Sequence, residues 1–245
     1  MLKMTILEDL LADIKEDAPI RSVWVGAHWT VVCSRHCGLA STLLSEKPHG
    51  HERVRDVGRL HLKSARELAE FALSDHPLEA SIGVATINSL LEVDERQAVE
   101  IDAEEVLVER GQGKKVVLVG HFPFIPRLRQ AAQQLWVIEQ QPTHDEYPAE
   151  AAQDLIPQAD VVALTSSALI NHTLDGLLAL CSPNALVILL GPSTPLSPVL
   201  FRYGASILSG SRVTDEAAAL RTIGQGATFQ QVEGVQKLTI SKVIK

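Results

Sequence analysis

From Lys114 onward the chain alternates short apolar runs with helical stretches, and this rhythm constrains its fold more than any other feature. The runs are Val116–Gly120, Leu135–Glu139, Asp160–Leu164, Ala185–Leu190 and Ala205–Leu208. Helical spacing marks Ile125–Gln133, Ala149–Ile156, Thr173–Cys181, Pro198–Tyr203 and Asp215–Ile223. Continuous Val/Leu/Ile runs separated by helices predict a parallel sheet covered on both faces. Such a sheet has right-handed crossovers, and its ligand crevice lies at the carboxyl ends of the strands. Gly120-His121-Phe122-Pro123-Phe124 follows the first run, where a dinucleotide-binding domain carries its glycine-rich phosphate turn. One glycine in place of three argues against a standard dinucleotide there.

The first part of the chain has a different character. Ile6, Leu7, Leu10, Leu11 and Ile14 predict an amphipathic helix over about residues 3–16. Ser22–Gly26 and Thr30–Cys33 read as a hairpin, and helices are expected over Ser64–Leu73 and from Pro77 to Leu91. The last is apolar nearly all round and is expected to be buried; Gly83 within it implies a close packing contact. The expected fold class is therefore α/β, with a small α+β domain over residues 1–110 and a Rossmann-like parallel sheet, helices on both faces, over 111–245.

At 245 residues the chain can bury a substantial core. Its net charge of −8, from 22 basic and 30 acidic side chains, disfavours general attraction to nucleic acid or to an anionic membrane. No apolar run approaches the ~18–20 residues that span a bilayer, and Glu8 and Asp9 cut the N-terminal run too early for a signal-peptide core. Three cysteines, Cys33, Cys37 and Cys181, suit a reducing cytoplasm better than a disulfide framework. The expected partner is a small molecule in a cytoplasmic protein; association into a homo-oligomer stays open.

The strand ends supply the candidate ligand-binding residues. Ser166 and Asn171 flank the turn after the third run, where hydroxyls and backbone N–H groups suit a carboxylate or phosphate; Asn171 is equally placed to cap the following helix. Ser193 and Thr194 lie in Gly191-Pro192-Ser193-Thr194-Pro195-Leu196-Ser197-Pro198, whose prolines hold the loop in few conformations. Glu139 ends the second run 19 residues after Gly120, near the place of a ribose-binding acid. His121 is a candidate acid, base or metal ligand. Asn88, an amide in an apolar helix, needs a partner or a ligand. Cys33, His36 and Cys37, with His49-Gly50-His51 further on, are a candidate soft-metal set, although one short cluster is not a complete tetrahedral site.

Ser166–Leu174, Gly191–Phe201 with Gly204, and Leu208-Ser209-Gly210 resemble the second domain of the heavy-metal chelation family. Gly38-Leu39-Ala40 and Ile82–Asn88 resemble its first domain. The resemblance implies an enolase N-terminal-like domain followed by a Rossmann-like domain, with a site between them that handles a heavy metal or a metal chelate. Ser166-Ser167 departs from the threonine-glycine pair expected there. Three readings follow: a protein or enzyme acting on an organic chelator in an interdomain cleft, an enzyme dependent on a nucleotide or S-adenosylmethionine, and a non-catalytic metal-binding protein using Cys33, His36 and Cys37. No nucleophile, general base or reaction can be assigned from the residues alone.

Overall fold

The computed structural model describes residues 4–45, 53–93 and 98–242. His49-Gly50-His51 lies outside the described residues. The first part builds an antiparallel sheet in the order β1 (Ser22–Val25), β2 (Trp29–Cys33), β3 (Cys37–Ser41). Its first helix, Ile6–Asp13, is shorter than the periodicity predicts because a capping box between Thr5 and Glu8 fixes its start. The helix Pro77–Leu90 is buried on nearly every side, as its composition predicts, and packs against β2 and β3.

Gly83 makes this packing possible. A Cβ there would stand 1.8 Å from the backbone nitrogen of Ala72, so the segment Glu70–Leu73 presses directly on the helix backbone. The buried end of the same helix carries an acid. Glu79, with a side chain 3% exposed, accepts hydrogen bonds from the Arg55 backbone N–H (2.6 Å), the Arg55 guanidinium (2.9 Å) and the Ser74 hydroxyl (2.7 Å). Burial pushes its carboxyl up, but those donors outweigh it and hold the group below the ordinary range.

The second part is an eight-stranded sheet. Its further strands are β4 (Ala98–Val99), β5 (Lys115–Val119), β6 (Gln134–Glu139), β7 (Tyr147–Pro148), β8 (Val161–Thr165), β9 (Leu186–Leu190), β10 (Ile207–Val213) and β11 (Val235–Ser241), in the spatial order β4-β11-β10-β9-β8-β5-β6-β7. From β7 to β10 every pairing is parallel. Numbered along the chain these six strands stand 3-2-1-4-5-6, the order of a doubly wound Rossmann sheet. All five expected strands form. The additions sit at the edges: β11 runs antiparallel to β10, β4 pairs with β11, and two-residue β7 adds to β6.

Side-chain alternation divides the strands between two cores. Val117, Ile138, Val162, Leu164, Val187, Leu189 and Leu208 join a cluster that continues into Ile6, Leu10, Leu68, Ile82 and Ile87 of the first part. Their neighbours Val116, Leu118, Val137, Val161, Ile188 and Ile207 pack on the opposite face with Val106, Leu107 and Leu128. The two parts thus share one apolar core.

The cysteines depart from the sequence reading. Cys33 and Cys37 lie opposite each other in the β2–β3 ladder, with Cα atoms 4.1 Å apart, and form a disulfide. Strand β3 itself was hidden by its weak pattern, Cys-Gly-Leu-Ala-Ser.

Three substitutions test this account by chemical denaturation. Gly83→Ala is expected to lose about 3 kcal/mol, because backbone must shift to admit the methyl; Gly176→Ala, in open space on the helix Leu174–Leu180, is expected to gain roughly 0.5–1 kcal/mol from helix propensity. Glu79→Gln is expected to cost about 2 kcal/mol at neutral pH. Because the folded carboxyl titrates below its ordinary 4.5, the gap from wild type holds above that pH and closes as pH falls through the lower folded value.

Candidate functional site

The strand order reverses between β5 and β8, and their carboxyl ends open into a crevice where ligands bind in doubly wound sheets. Gly120, leaving β5, has φ +107°, and a Cβ on it would stand 2.9 Å from Cβ of Thr165 at the end of β8. The glycine is needed for the approach of these two strand ends. Two adjoining cavities of about 400 and 640 Å³ occupy the crevice, and His121 and Thr165 line both.

The smaller cavity carries two pairs of aromatic rings. Phe122 and Phe124 stack with ring centres 5.1 Å apart, and Trp29 of β2 tilts against Phe229 at 5.4 Å. Its polar lining includes Ser41, Ser166, Ser209 and an ion pair between Asp102 and Lys237 at 2.6 Å. Burial pushes the Asp102 carboxyl up, yet the Lys237 ammonium and the Glu104 backbone N–H hold it below its ordinary value. The Trp29 indole nitrogen is buried with no hydrogen-bond acceptor among the described residues.

The larger cavity is lined by His121, Glu139, Ser167, Asn171, His172 and Thr173, among others. His121 Nδ1 lies 2.6 Å from Glu146 Oε1. The second oxygen of that carboxylate accepts the Thr143 backbone N–H at 2.8 Å. Glu146 is held below the usual carboxylate range, first by the Thr143 N–H and then by His121. A carboxylate can only accept, so in the neutral ring Nδ1 carries the proton and Nε2 keeps its lone pair. Carboxylates orient metal-ligating and proton-transferring histidines in this way. The Glu146 side chain is 5% exposed and that of His121 65%, which leaves the ring accessible on a fixed support. His172 adopts a left-handed backbone, φ 61°, at the end of the short helix Ser167–Ile170.

Of the residues expected from sequence, His121, Glu139, Ser166 and Asn171 line the crevice. Ser166 is nearly inaccessible, with its N–H bonded to Leu190 O at 2.8 Å. Asn171 does not cap the helix Leu174–Leu180; Thr173 holds the cap position, and Asn171 Oδ1 accepts the Thr173 hydroxyl at 2.7 Å. Asn88, Ser193 and Thr194 lie at the contact between the two parts. Asn88 Nδ2 donates to Leu39 O (2.8 Å) and to Ser193 O (3.1 Å), while its Oδ1 is buried without a donor among the described residues. Ser193 Oγ accepts the Ser41 backbone N–H at 2.8 Å, and the Thr194 hydroxyl donates to Gly191 O at 2.8 Å. Ser193 is fully buried, Thr194 is nearly so, and neither is among the residues that line the two cavities. The proposed soft-metal set is divided: Cys33 and Cys37 are joined to each other, and His36 Nε2 lies 3.4 Å from Glu92. A disulfide offers no thiolate to a metal.

Nothing in the residue pattern marks Glu146, Trp29, Asp102, Phe229 or Lys237 as site residues. They come from a polar loop (Glu146), the hairpin (Trp29), a helix N-cap (Asp102), a 3-10 turn (Phe229) and strand β11 (Lys237), and only tertiary packing brings them to His121 and Phe122. A histidine leaving the first strand was the one available hint that an acid would be needed beside it.

Comparison with known proteins agrees with this architecture. Two family models, each described as "Putative heavy-metal chelation", match residues 7–91 and 102–242. An uncharacterised protein of Methanocaldococcus jannaschii is 28% identical over 208 residues, covering 82% of this chain and 79% of that protein. A crystal structure of a protein of unknown function from Desulfitobacterium hafniense, of the same family as the second model, superposes with a TM-score of 0.83 at 30% identity, covering 97% of this chain and 98% of the other. One from Pyrococcus horikoshii has a TM-score of 0.78 at 23% identity, covering 96% and 98%, and shares the fold. With more than half its length matched by one model and nearly all of it by the solved relative, the chain belongs to the family described as putative heavy-metal chelation.

Proposed function

We propose that the crevice binds a small organic metal chelate, with the metal presented to His121 and the organic part lying against the aromatic wall. The observation that carries this reading is the His121–Glu146 pair at the boundary of two adjoining cavities. An imidazole with its Nδ1 hydrogen-bonded to a carboxylate offers Nε2 either to a metal that arrives with its chelator or to a proton in transfer. Phe122 and Phe124 add a flat apolar face, suited to a planar or heterocyclic ligand. Glu139 and Asn171 supply an acceptor and an amide in the larger cavity. The family description favours a metal-related ligand over other small molecules.

A nucleotide or S-adenosylmethionine is the second reading, favoured by one observation: Glu139 ends β6 and lines the cavity, in the position of a ribose-binding acid. Against it, the lone Gly120 serves contact with Thr165, and the helix after β5 starts only at Ile125.

A thermal-shift series separates the two. Nickel, cobalt and zinc complexes of small carboxylate or heterocyclic chelators are expected to raise Tm, and NAD and S-adenosylmethionine are not. His121→Ala is expected to abolish the chelate-dependent rise, and Glu146→Gln to weaken binding by roughly 10–100-fold. Ser193→Ala is expected to lower the Tm of the free protein while keeping the ligand-dependent rise. Stabilisation by a nucleotide alone, or an unchanged chelate response in His121→Ala, would overturn the first reading.

A further inference from the structure

Away from the crevice, the contact between the two parts gathers two sulfurs and a carboxylate at one point. Cys33 and Cys37 belong to the β2–β3 hairpin, whereas Glu216 opens the helix Glu216–Gly224 of the second part. One ligand atom from each lies within 4.8 Å of the others. Arg21 spans the same place: Nε donates to Ser34 O at 2.9 Å, Nη1 meets Glu216 Oε2 at 2.6 Å, and Nη2 lies 3.6 Å from Cys37 Sγ. Val31, Leu39 and Ile223 pack around the sulfurs, while Arg21 and Glu216 remain partly exposed at the mouth.

We propose that the reduced form of Cys33 and Cys37, together with Glu216, is a binding site for a thiophilic divalent cation, separate from the crevice and built across the two parts. Reduction breaks the S–S bond with two electrons and two protons, giving two thiols; a dithiol donor supplies them and becomes a disulfide itself. The cation then forms two metal–sulfur bonds and releases both thiol protons to solvent. Two thiolates and one carboxylate around a divalent ion leave a net charge of −1, which the adjacent Arg21 guanidinium balances. Thiolate ligands select zinc- or cadmium-like ions over magnesium or calcium. Three protein ligands leave the fourth tetrahedral position to water. His36 is not a member, since its ring is turned to Glu92. In the oxidised form the sulfurs offer no thiolate, so the site exists only under reducing conditions, and its filling ties the hairpin to the helix Glu216–Gly224.

Cadmium titration of the full-length chain tests this, in a Cys181→Ser background that removes the remaining thiol. The protein is reduced with a phosphine, which is then removed; bound cadmium is counted by equilibrium dialysis and the thiolate-to-cadmium absorption is read in the ultraviolet. The expected result is one cadmium per reduced chain with the absorption band, and neither in the oxidised chain at concentrations that saturate the reduced one. Glu216→Gln is expected to keep the band and weaken binding about tenfold, with His36→Ala unchanged. Arg21→Gln breaks the same ion pair but keeps the carboxylate, so it is expected to weaken binding less than Glu216→Gln does. Circular dichroism confirms that each variant is folded. Equal binding by oxidised and reduced chains, a band that survives Cys33→Ser/Cys37→Ser, or wild-type affinity in Glu216→Gln would each overturn the proposal. None of these residues lines the crevice, so failure here is distinguishable from failure of the crevice reading.

Discussion

The buried contact between the β2–β3 hairpin and the strand ends of the large sheet is the constraint on which the rest depends. Ser193 has no exposed surface, yet its hydroxyl accepts the Ser41 N–H and its carbonyl accepts the Asn88 amide. Leaving any of these groups dry and unpaired would cost on the order of 1–3 kcal/mol each. Apolar contacts around them are continuous, since residues of both parts belong to one cluster. Ile6 N–H bonds to Asp175 and the Tyr203 hydroxyl to Asp9, and these fix the far side of the same contact. The same contact sets the relative positions of the crevice walls: Trp29 comes from the hairpin, and His121, Phe122 and Ser166 from the sheet.

That contact depends in turn on a helix that can be approached on all sides. Pro77–Leu90 touches β2 and β3 on one side and Phe71–Ala72 on another, and Gly83 lets the second contact close to backbone distance. A helix without a polar face has no solvent side to spare, so its one buried acid, Glu79, needs its three donors supplied by Arg55 and Ser74. Asn88 leaves the far end of the same helix to reach Leu39 and Ser193.

Much of this was legible in the residues. The five central strands were readable because both faces of each are buried, which writes continuous Val/Leu/Ile runs. Gly83 was readable as a packing contact because glycine inside an otherwise apolar helix has few other reasons to exist. Strands β3, β4, β7 and β11 were not, because edge and hairpin strands carry small or alternating residues whose partners are fixed by tertiary pairing. The site divides along the same line. His121, Glu139, Ser166 and Asn171 follow from the rule that ligands meet strand ends, whereas Glu146 is recruited by a hydrogen bond across 25 residues that no local pattern encodes. Ser193 and Asn88 carry the polar chemistry of binding residues but direct it at each other. A buried amide needs a partner, and sequence alone cannot say whether protein or ligand provides it.

Charge in the crevice sharpens the choice of ligand. Glu139 lines the larger cavity and Glu146 backs its histidine, while no lysine or arginine is among the described residues that line it. In the smaller cavity Lys237 is already paired with Asp102, and Glu104 adds a second acid, itself paired with Arg127. A pyrophosphate placed here would meet carboxylates with neither a free cation nor a glycine-rich turn of backbone N–H groups to hold it. The metal complex proposed above would reverse the balance: its ion would gain from Glu139 and Glu146, the His121 Nε2 lone pair would coordinate it, and its organic shell would gain from Phe122 and Phe124. The lining that disfavours a dinucleotide would thus suit the metal complex proposed above.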